Sequence, residues 1–499
     1  MYKTRKFLFP LFLAAAFLCS CGQSEEPTTG NGNLEESEGN VNVVFKLQSN
    51  SSTATRSAED SYEHLRGTAN EYQVNKVRVY LFDSATKLFA RTFTLTGIKF
   101  AGTDGTGSGY VIYDTDPISV PQGRYDIFVT ANTDRVIDKK TEAEFLADVD
   151  EETYKKALIE DISGGVVMTN RASANLDVTI TRNSADGINT INITLERVLA
   201  RLDIAKRAEK FELTDKNGSK YATVTFDGYF IVNLATTYYS YRHTSVLTTL
   251  QEPEWDVTKN FGNVTDVNGY VIDPYFFKKT IDAASFTNQD YFYVNFAPQY
   301  TNAEAIGWRS FNAVKSDPDY NIAYCLENCA LAPAQKNGYS TGVLFRALVE
   351  PNNNVYHLNN SGVLELLTDK SKYPETLYFF NEKFYDSATA LEAAVAATSG
   401  SAVTKFQARK FEKTDAGYRC YYKYWIRHLD NNKPTEMGVM EFGVVRNNLY
   451  RMLISGVYDL GDGTPTIVPD TPDEGETYLQ VVLNVKPWII REPENGVWL

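Results

Sequence analysis

Four histidines are the first candidates for chemistry in this chain of 499 residues. His64, His243, His357 and His428 lie far apart, and none has a second histidine at the spacing of a helical or hairpin metal pair. A Ser-His-Asp triad can assemble from distant positions, but no G-x-S-x-G elbow marks a nucleophilic serine. The sequence therefore predicts no enzyme, no cofactor and no metal site.

Two further segments resemble ligand loops in composition. Residues 104–109, DGTGSG, have glycines like a phosphate loop, but no helix pattern and no Lys-Ser or Lys-Thr pair follows them. The acidic residues of 459–476 lack the regular ligand spacing and the closing glutamate of a calcium loop. We interpret the first segment as a turn between strands and the second as a solvated linker.

The charge balance excludes one class of partner. Binding to nucleic acid depends on Lys and Arg that neutralise phosphates, whereas this chain has a formal net charge of -14 and no basic run. Hydrophobic residues make up 43% and charged residues 22%, which is typical of globular proteins. We expect a folded protein without a nucleic-acid partner.

The N-terminus carries the most specific chemical signal. Basic residues precede an apolar run that is short for a membrane helix, which is the pattern of a signal peptide over residues 1–20. Residues 18–21, LCSC, resemble a bacterial lipobox, and this resemblance implies that Cys21 becomes the lipidated first residue and anchors the protein to a membrane. A plain secretory signal with two incidental cysteines is the alternative.

Three cysteines remain in the body of the chain. Cys325, Cys329 and Cys420 cannot all pair within one chain, and the first two lack a second ligand pair for zinc. We interpret them as structural residues, either all free or with one bridge.

Arg56 is the candidate for proteolytic processing. It lies in a polar segment that follows residues 41–48, and exposed polar tethers are where proteases cut. Cleavage there would detach the lipid, the tether and residues 41–48 together, as a propeptide over residues 21–56. Arg66 lies ten residues further along and is an alternative cleavage site.

Most of the chain between the N-terminal tether and the C-terminal linker consists of short segments with period-2 alternation, which is typical of strands. VRVYLFD at 77–83 is one of many such segments, and only residues 141–161 and 390–400 have helical spacing. The pattern predicts an all-β fold with minor helices, organised as sandwiches and not as βαβ units. We place an N-terminal sandwich domain at 57–207 and a C-terminal one at 208–460.

Two distant segments carry the same one-faced alternation. We interpret the first as a removable strand and the second as a donor strand within residues 478–499, behind a Pro-rich, flexible linker at 461–477. Their apolar residues are Val41, Val43, Phe45 and Leu47 in the first strand, and Leu479, Val481, Leu483 and Val485, with the anchor Trp488, in the second. Because unpaired sheet edges accept other strands, the second strand of one molecule could fill the groove left by the first strand of the next.

Together these features resemble the type V pilus fimbrillins of Bacteroidia, and among them the shaft subunits of the minor, or short, fimbriae. The resemblance rests on the lipobox, Arg56 ahead of VRVYLFD, VRNNLYRMLISGV at 445–457 and the terminal VVLNVKPW. It implies two transthyretin-like β-sandwich domains in tandem, with the C-terminal donor strand on its linker. It also implies export to the cell surface as an outer-membrane lipoprotein and cleavage by a trypsin-like, arginine-specific protease.

The same resemblance implies which partners the protein has. They are other copies of the chain, accessory anchor and tip subunits, and host or bacterial surface ligands in adhesion. Two alternatives stay open. One is a glycan-binding surface lipoprotein that uses exposed aromatics such as Trp255, Trp308 and Trp425, and the other is a pilus anchor or tip subunit.

Overall fold

The computed structural model describes residues 40–49, 69–103, 111–150, 162–182, 188–246, 269–276, 279, 293–294, 306–398, 408–428, 437–438, 441–474 and 478–487. Cys21, Arg56, Arg66 and Trp488 lie outside the described residues, as do the segment 104–109 that was predicted to be a turn, His64 and Trp255.

The strands of the N-terminal half follow the predicted alternation. In chain order they are β1 (Asn40–Ser49), β2 (Val77–Asp83), β3 (Phe89–Thr94), β4 (Lys99–Thr103), β5 (Val111–Asp114), β6 (Ile118–Pro121), β7 (Gly123–Ala131), β8 (Val149–Asp150), β9 (Met168–Asn170), β10 (Val178–Ile180) and β11 (Ile188–Arg197). Ten of them form one sheet in the order β3-β2-β7-β9-β11-β1-β5-β4, with β10 beside β7 and β6 beside β1. The sheet curls around an apolar core to which β1, β2, β7 and β11 contribute, and a second apolar cluster includes Tyr80 and Phe82 of β2 and Phe128 of β7.

The C-terminal half contains the remaining strands. They are β12 (Ala200–Lys206), β13 (Phe211–Thr214), β14 (Lys220–Val232), β15 (Leu234–Ala235), β16 (Tyr238–Tyr239), β17 (His243–Val246), β18 (Gly269–Ile272), β19 (Tyr293–Val294), β20 (Asn321–Cys325), β21 (Gly342–Pro351), β22 (Val355–Leu358), β23 (Leu364–Leu366), β24 (Thr376–Phe380), β25 (Lys383–Tyr385), β26 (Arg409–Thr414), β27 (Gly417–Trp425), β28 (Asn448–Val457) and β29 (Leu479–Pro487).

Two sheets of this half share one core. The first has the order β20-β12-β28-β29, and the second has the order β13-β14-β21-β27-β26-β24-β25-β22-β23. Three short pairs, β15 with β19, β16 with β8, and β17 with β18, complete the described pairing. The predicted all-β fold of tandem β-sandwich domains is confirmed.

Helices are short and few among the described residues. They are α1 (Ala69–Tyr72), α2 (Glu142–Leu146) and α3 (Ala388–Ala397), with 3₁₀ turns at Ala332–Ala334 and Lys370–Lys372. None of the helices in the described ranges is long and apolar enough to cross a membrane.

One of the two predicted helices is wrong in length. A capping box between Thr141 and Glu144 starts α2, but the helix ends at Leu146 and the chain enters β8. Asp148, just after the helix, is held by the Arg135 guanidinium, which donates to its carboxylate at 2.8 Å. Residues 151–161 lie outside the described part. The helix predicted at 390–400 is confirmed as α3, which Ser387 caps.

The boundary between the two cores also differs from the predicted one. Leu199 packs in the N-terminal core and Ala200 packs in the C-terminal core. The core therefore changes ahead of the predicted division at residues 207 and 208, because β12 pairs with β20 and β28 of the second domain.

A buried ionic network joins the two cores. The Glu71 carboxylate, on α1, accepts hydrogen bonds from the Arg201 guanidinium at 3.0 Å and from the Tyr324 hydroxyl at 2.7 Å. The backbone carbonyl of Glu71 accepts a further hydrogen bond from Nε of Arg197 at 2.7 Å. Through Glu71, α1 is therefore fixed at the junction between the two cores.

Candidate functional site

The first predicted strand, β1, lies inside the N-terminal sheet and not at its edge. It pairs in parallel with β11 and antiparallel with β6 and β5. Val43, Phe45 and Leu47 have 0% exposure and Val41 has 3%. Loss of β1 would therefore open a slot between β11 on one side and β5 and β6 on the other; we call it the N-terminal slot.

Thr115 bridges a break in one wall of the N-terminal slot. β5 ends at Asp114 and β6 begins at Ile118, and their ladders to β1 stop on either side of Phe45. The buried Thr115 hydroxyl accepts a hydrogen bond from the Phe45 amide at 3.1 Å and donates one to the Phe45 carbonyl at 3.2 Å. Because these contacts are to main-chain atoms, they hold a strand without selecting its side chain at that position.

The second predicted strand, β29, lies at the end of the sheet order of the C-terminal half. It pairs antiparallel with β28, from Leu479 opposite Val457 to Pro487 opposite Asn448. Leu479 is buried, whereas Val482, on the opposite face, is 41% exposed. The other residues of the predicted apolar face are partly buried against the C-terminal core, namely Val481, Leu483 and Val485.

The two strands have the same pattern but different burial. β1 has hydrogen-bonded strands along both edges and an apolar face that is almost fully buried, whereas β29 has one described neighbour and only Leu479 is fully buried on that face. Burial of apolar surface stabilises by about 25 cal/mol per Å². The apolar face of β29 therefore gains less from burial at its own sheet edge than the matching face of β1 gains inside the N-terminal sheet.

The linker at 461–477 corrects one expectation. Its described part, residues 461–474, is not a flexible tether but is bound along the C-terminal domain. The amides of Asn337 and Gly338 donate to the carbonyls of Thr471 and Pro469, each at 2.9 Å. Ile467 is 3% exposed and packs in a small apolar cluster. Proline and aspartate composition predicted solvation, but proline also holds an extended backbone whose carbonyls can accept hydrogen bonds.

Asp473 is the polar anchor at the end of this bound linker. Its carboxyl is buried, and Oδ2 accepts a hydrogen bond from the Ser340 hydroxyl, while Oδ1 has no hydrogen-bond partner among the described residues. Its amide donates to the Gln335 carbonyl at 3.2 Å. A neutral acid is cheaper to bury here than a carboxylate, and burial raises the pKa of Asp473 to about 8.

This raised pKa predicts a pH-dependent release of the linker. The folded chain keeps the proton of Asp473 between the ordinary pKa of 3.8 and about 8, whereas the released chain loses it. The stabilisation is therefore complete below about pH 4 and is lost as the pH rises toward 8. We expect amide hydrogen exchange of residues 467–473, corrected for intrinsic rates, to be faster at pH 8 than at pH 5.

Two variants separate this effect from other titrations. Asp473→Asn should flatten the pH dependence, whereas Asp470→Asn, which removes only the half-exposed partner of Lys336, should preserve it. An unchanged pH profile in Asp473→Asn would assign the effect to another group.

The aromatic residues of the glycan-binding alternative are largely engaged in packing. Trp425 is 7% exposed and lies in an apolar cluster with Phe230. Trp308 is half-buried, with the Arg346 guanidinium 5.2 Å from its ring centroid and the Tyr421 ring stacked at 5.9 Å. The structure therefore brings neither described tryptophan into an open aromatic platform.

The three body cysteines, His243 and His428 are buried, whereas His357 is half-buried. Cys325, Cys329 and Cys420 are all free and buried, and burial raises the pKa of the Cys420 thiol to about 12. His243 binds the Leu146 carbonyl at 2.7 Å, and burial lowers the pKa of His243 to about 3. Within the described ranges, no cluster of His, Cys, Asp and Glu could hold a metal ion.

Comparison with protein families gives two matches, one at each strand. The family described as "Major fimbrial subunit protein (FimA)" matches residues 40–218, which include β1. The family described as "Major fimbrial subunit protein type IV, Fimbrillin, C-terminal" matches residues 416–494, which include β29. No curated protein sequence gives a significant match.

Solved structures with similarity to this chain include three fimbrial proteins. A fimbrilin from Porphyromonas gingivalis is 14% identical, with 91% of this chain and 99% of that chain covered and a TM-score of 0.39. The tip fimbrial protein Mfa3 of the same organism is 12% identical, with 90% and 100% covered and a TM-score of 0.37. A fimbrial assembly protein from Parabacteroides distasonis is 10% identical, with 63% and 99% covered and a TM-score of 0.26.

Proposed function

Because the chain belongs to the type V pilus fimbrillins of Bacteroidia, we propose that this pilus structural subunit is activated by proteolysis and polymerised by donor-strand exchange. Its place is the cell-surface fimbrium, in association with other copies of itself and accessory fimbrial subunits. Among the roles in a fimbria we assign it to the shaft of the minor, or short, fimbriae, where it supports adhesion to host or bacterial surfaces.

Export begins the proposed sequence of events. The signal peptide is removed ahead of Cys21, whose acyl chains hold the precursor in the outer membrane. In this precursor β1 fills its own N-terminal slot, so the subunit cannot accept a strand from another molecule.

Activation is cleavage after Arg56 by a trypsin-like protease. The cut separates the lipid and β1 from the domain that begins at Ser57, while α1 holds the following chain through Glu71. The observation that carries the proposal is the difference in burial between the two strands: the apolar face of β1 is 0–3% exposed, whereas most of the matching face of β29 is only partly buried.

Polymerisation follows from that difference. The donor strand of one subunit, with Leu479, Val481, Leu483, Val485 and Trp488, enters the vacated slot of the next by β-augmentation. The bound linker must leave its own domain so that the strand can reach a neighbour. Because donor and acceptor surfaces differ, the contact is heterologous and produces an open filament.

The test is to replace Arg56 with alanine in the full chain. The variant should stay at the membrane as an acylated monomer that starts at Cys21, because β1 is never released. Wild type sheared from cells should start at Ser57 and give a ladder of oligomers on a gel of unboiled samples. N-terminal sequencing and the gel report both steps.

Arg66→Ala is the matched control and should leave processing and the ladder unchanged. A wild-type protein that is monomeric and starts at Cys21 would contradict the proposal and favour a pilus anchor or a glycan-binding lipoprotein. A wild-type start at residue 67 would move the processing site to Arg66.

A further inference from the structure

A lysine lies fully inside the C-terminal half, away from the N-terminal slot and from β29. The Lys279 side chain is 1% exposed, and its amine donates to Oδ2 of Asp273 at 2.7 Å and to Oδ1 of Asn328 at 2.8 Å. It also contacts the carbonyl of Cys329. Burial of an ammonium group is costly even when it is paired, and Asp273 is the ion-pair partner that the described residues supply.

The amide of Asn328 faces Lys279 in a fixed orientation. Its Nδ2 donates to the Tyr339 carbonyl at 2.7 Å and to the Thr341 hydroxyl at 2.9 Å. Since these acceptors hold the nitrogen, Oδ1 must point to the lysine. A carbonyl bond is about 1.23 Å long, so the amide carbon lies within roughly 4 Å of the amine.

Asp273 supplies the third group. Its Oδ2 accepts hydrogen bonds from Lys279 and from the Cys329 amide at 2.7 Å, so the carboxylate is fixed beside both the amine and the chain that carries Asn328. The surrounding cluster is apolar and includes Val271, Ile272 and Phe276. Asp273 is thus the carboxylate in hydrogen-bond contact with the amine, and it is placed to take a proton from Nζ as a bond forms.

From this geometry we infer that Lys279 and Asn328 form an intramolecular isopeptide bond, with Asp273 as the group that carries the proton. A nucleophilic amine, a primary amide held in one orientation and a buried carboxylate are the three components that the reaction needs. The inference does not depend on the proposed function, because none of the three residues belongs to the strand-exchange site.

The reaction balances without any co-reactant. The ammonium of Lys279 passes one proton to Asp273, and the neutral Nζ forms a bond to Cγ of Asn328. As the bond from Cγ to Nδ2 breaks, Nδ2 takes one of the two protons on Nζ. It then takes the proton held by Asp273. One ammonium ion leaves, the Asp273 carboxylate is restored and a secondary amide joins the two side chains.

The bond would close the chain from residue 279 to residue 328. A covalent link of this kind restricts the unfolded chain and so favours the folded state, as a disulfide does. It would also tie Lys279, which follows β18 in the chain, to Asn328, whose backbone forms a β-bridge with Val444.

Mass spectrometry of the full chain purified from its own cells tests the bond. We expect a cross-linked pair of tryptic peptides that contain residues 279 and 328, with a mass lower than the sum of the two by roughly 17 Da, the mass of one ammonia. Cleavage after Lys279 should be absent, because trypsin does not cut at an amidated lysine. Separate peptides with unmodified masses in the wild type would overturn the inference, as would a gain of about 1 Da at Asn328 from deamidation alone.

Variants identify the groups. Lys279→Arg keeps the positive charge but cannot form the amide, and Asp273→Asn keeps the size but cannot carry the proton, so both should give separate peptides with unmodified masses. Lys216→Arg, at an exposed lysine, is the control and should retain the cross-link. A cross-link that persists in Asp273→Asn would overturn the role of the carboxylate.

Discussion

Replacing Val481 with aspartate should abolish filament assembly, whereas the same change at Val482 should leave assembly close to normal. Val481 lies on the apolar face of β29 and Val482 is 41% exposed on the other face. In the N-terminal slot the residue on the apolar face would be buried, and a carboxylate without a partner costs at least about 3 kcal/mol there, or roughly a hundredfold in the strand-binding equilibrium.

The two neighbouring valines form a matched pair for this experiment. Both variants should be exported and processed, and the measurement is the oligomer ladder of protein sheared from cells, with circular dichroism of the purified monomers as a check on folding. Equal loss of assembly in both variants would show that the assignment of faces is wrong, and normal assembly in Val481→Asp would contradict the role of β29 as the donor strand.

The second large effect is expected at the domain junction. Glu71→Ala should lower the free energy of unfolding by about 2–3 kcal/mol, because the Arg201 guanidinium and the Tyr324 hydroxyl lose a buried hydrogen-bond acceptor. Arg201 keeps Asp203 as an ion-pair partner, and Arg197 keeps its hydrogen bond to the backbone carbonyl of residue 71. Urea unfolding of the purified protein at neutral pH measures the change.

Asp134→Ala is the control for an ordinary ion pair. Asp134 binds Lys76 at 2.7 Å, but both side chains are largely exposed, so its loss should change the free energy of unfolding by no more than about 1 kcal/mol. A similar small change for Glu71→Ala would mean that water or neighbouring groups compensate for the lost carboxylate.

Local patterns predicted the parts of this fold that depend on local physics. Strands such as β1, β2 and β29 are visible in the sequence, because a sheet with one buried face requires apolar residues at every second position. The same alternation identified the residues of β1 that lie in the core. It could not identify the partners of β1, since β11 lies far along the chain and pairing leaves no local signature.

The errors have a common physical cause, which is that composition does not report tertiary contacts. β12 follows β11 so closely that the two appeared to belong to one domain, yet β12 pairs with β28. The acidic linker appeared solvated, but Ile467 and Asp473 fit into the C-terminal domain.

Two site residues gave no signal in the sequence. Thr115 matters only because the ladders of β5 and β6 to β1 stop on either side of Phe45, which no single-strand pattern can reveal. Glu71 lies in a helix of only four residues beside a polar tether, where an acidic side chain would ordinarily be solvated. Both residues depend on chain segments that meet only after folding.

The position of β1 in the middle of its sheet has a mechanical consequence. β1 is hydrogen-bonded along both edges, in parallel on one side and antiparallel on the other. A force along the axis of such a strand loads all its backbone hydrogen bonds at the same time. A pull across an edge strand such as β29 breaks bonds one after another. A strand in the N-terminal slot therefore resists force along its axis, whereas an edge strand such as β29 separates more easily when it is pulled away from its sheet.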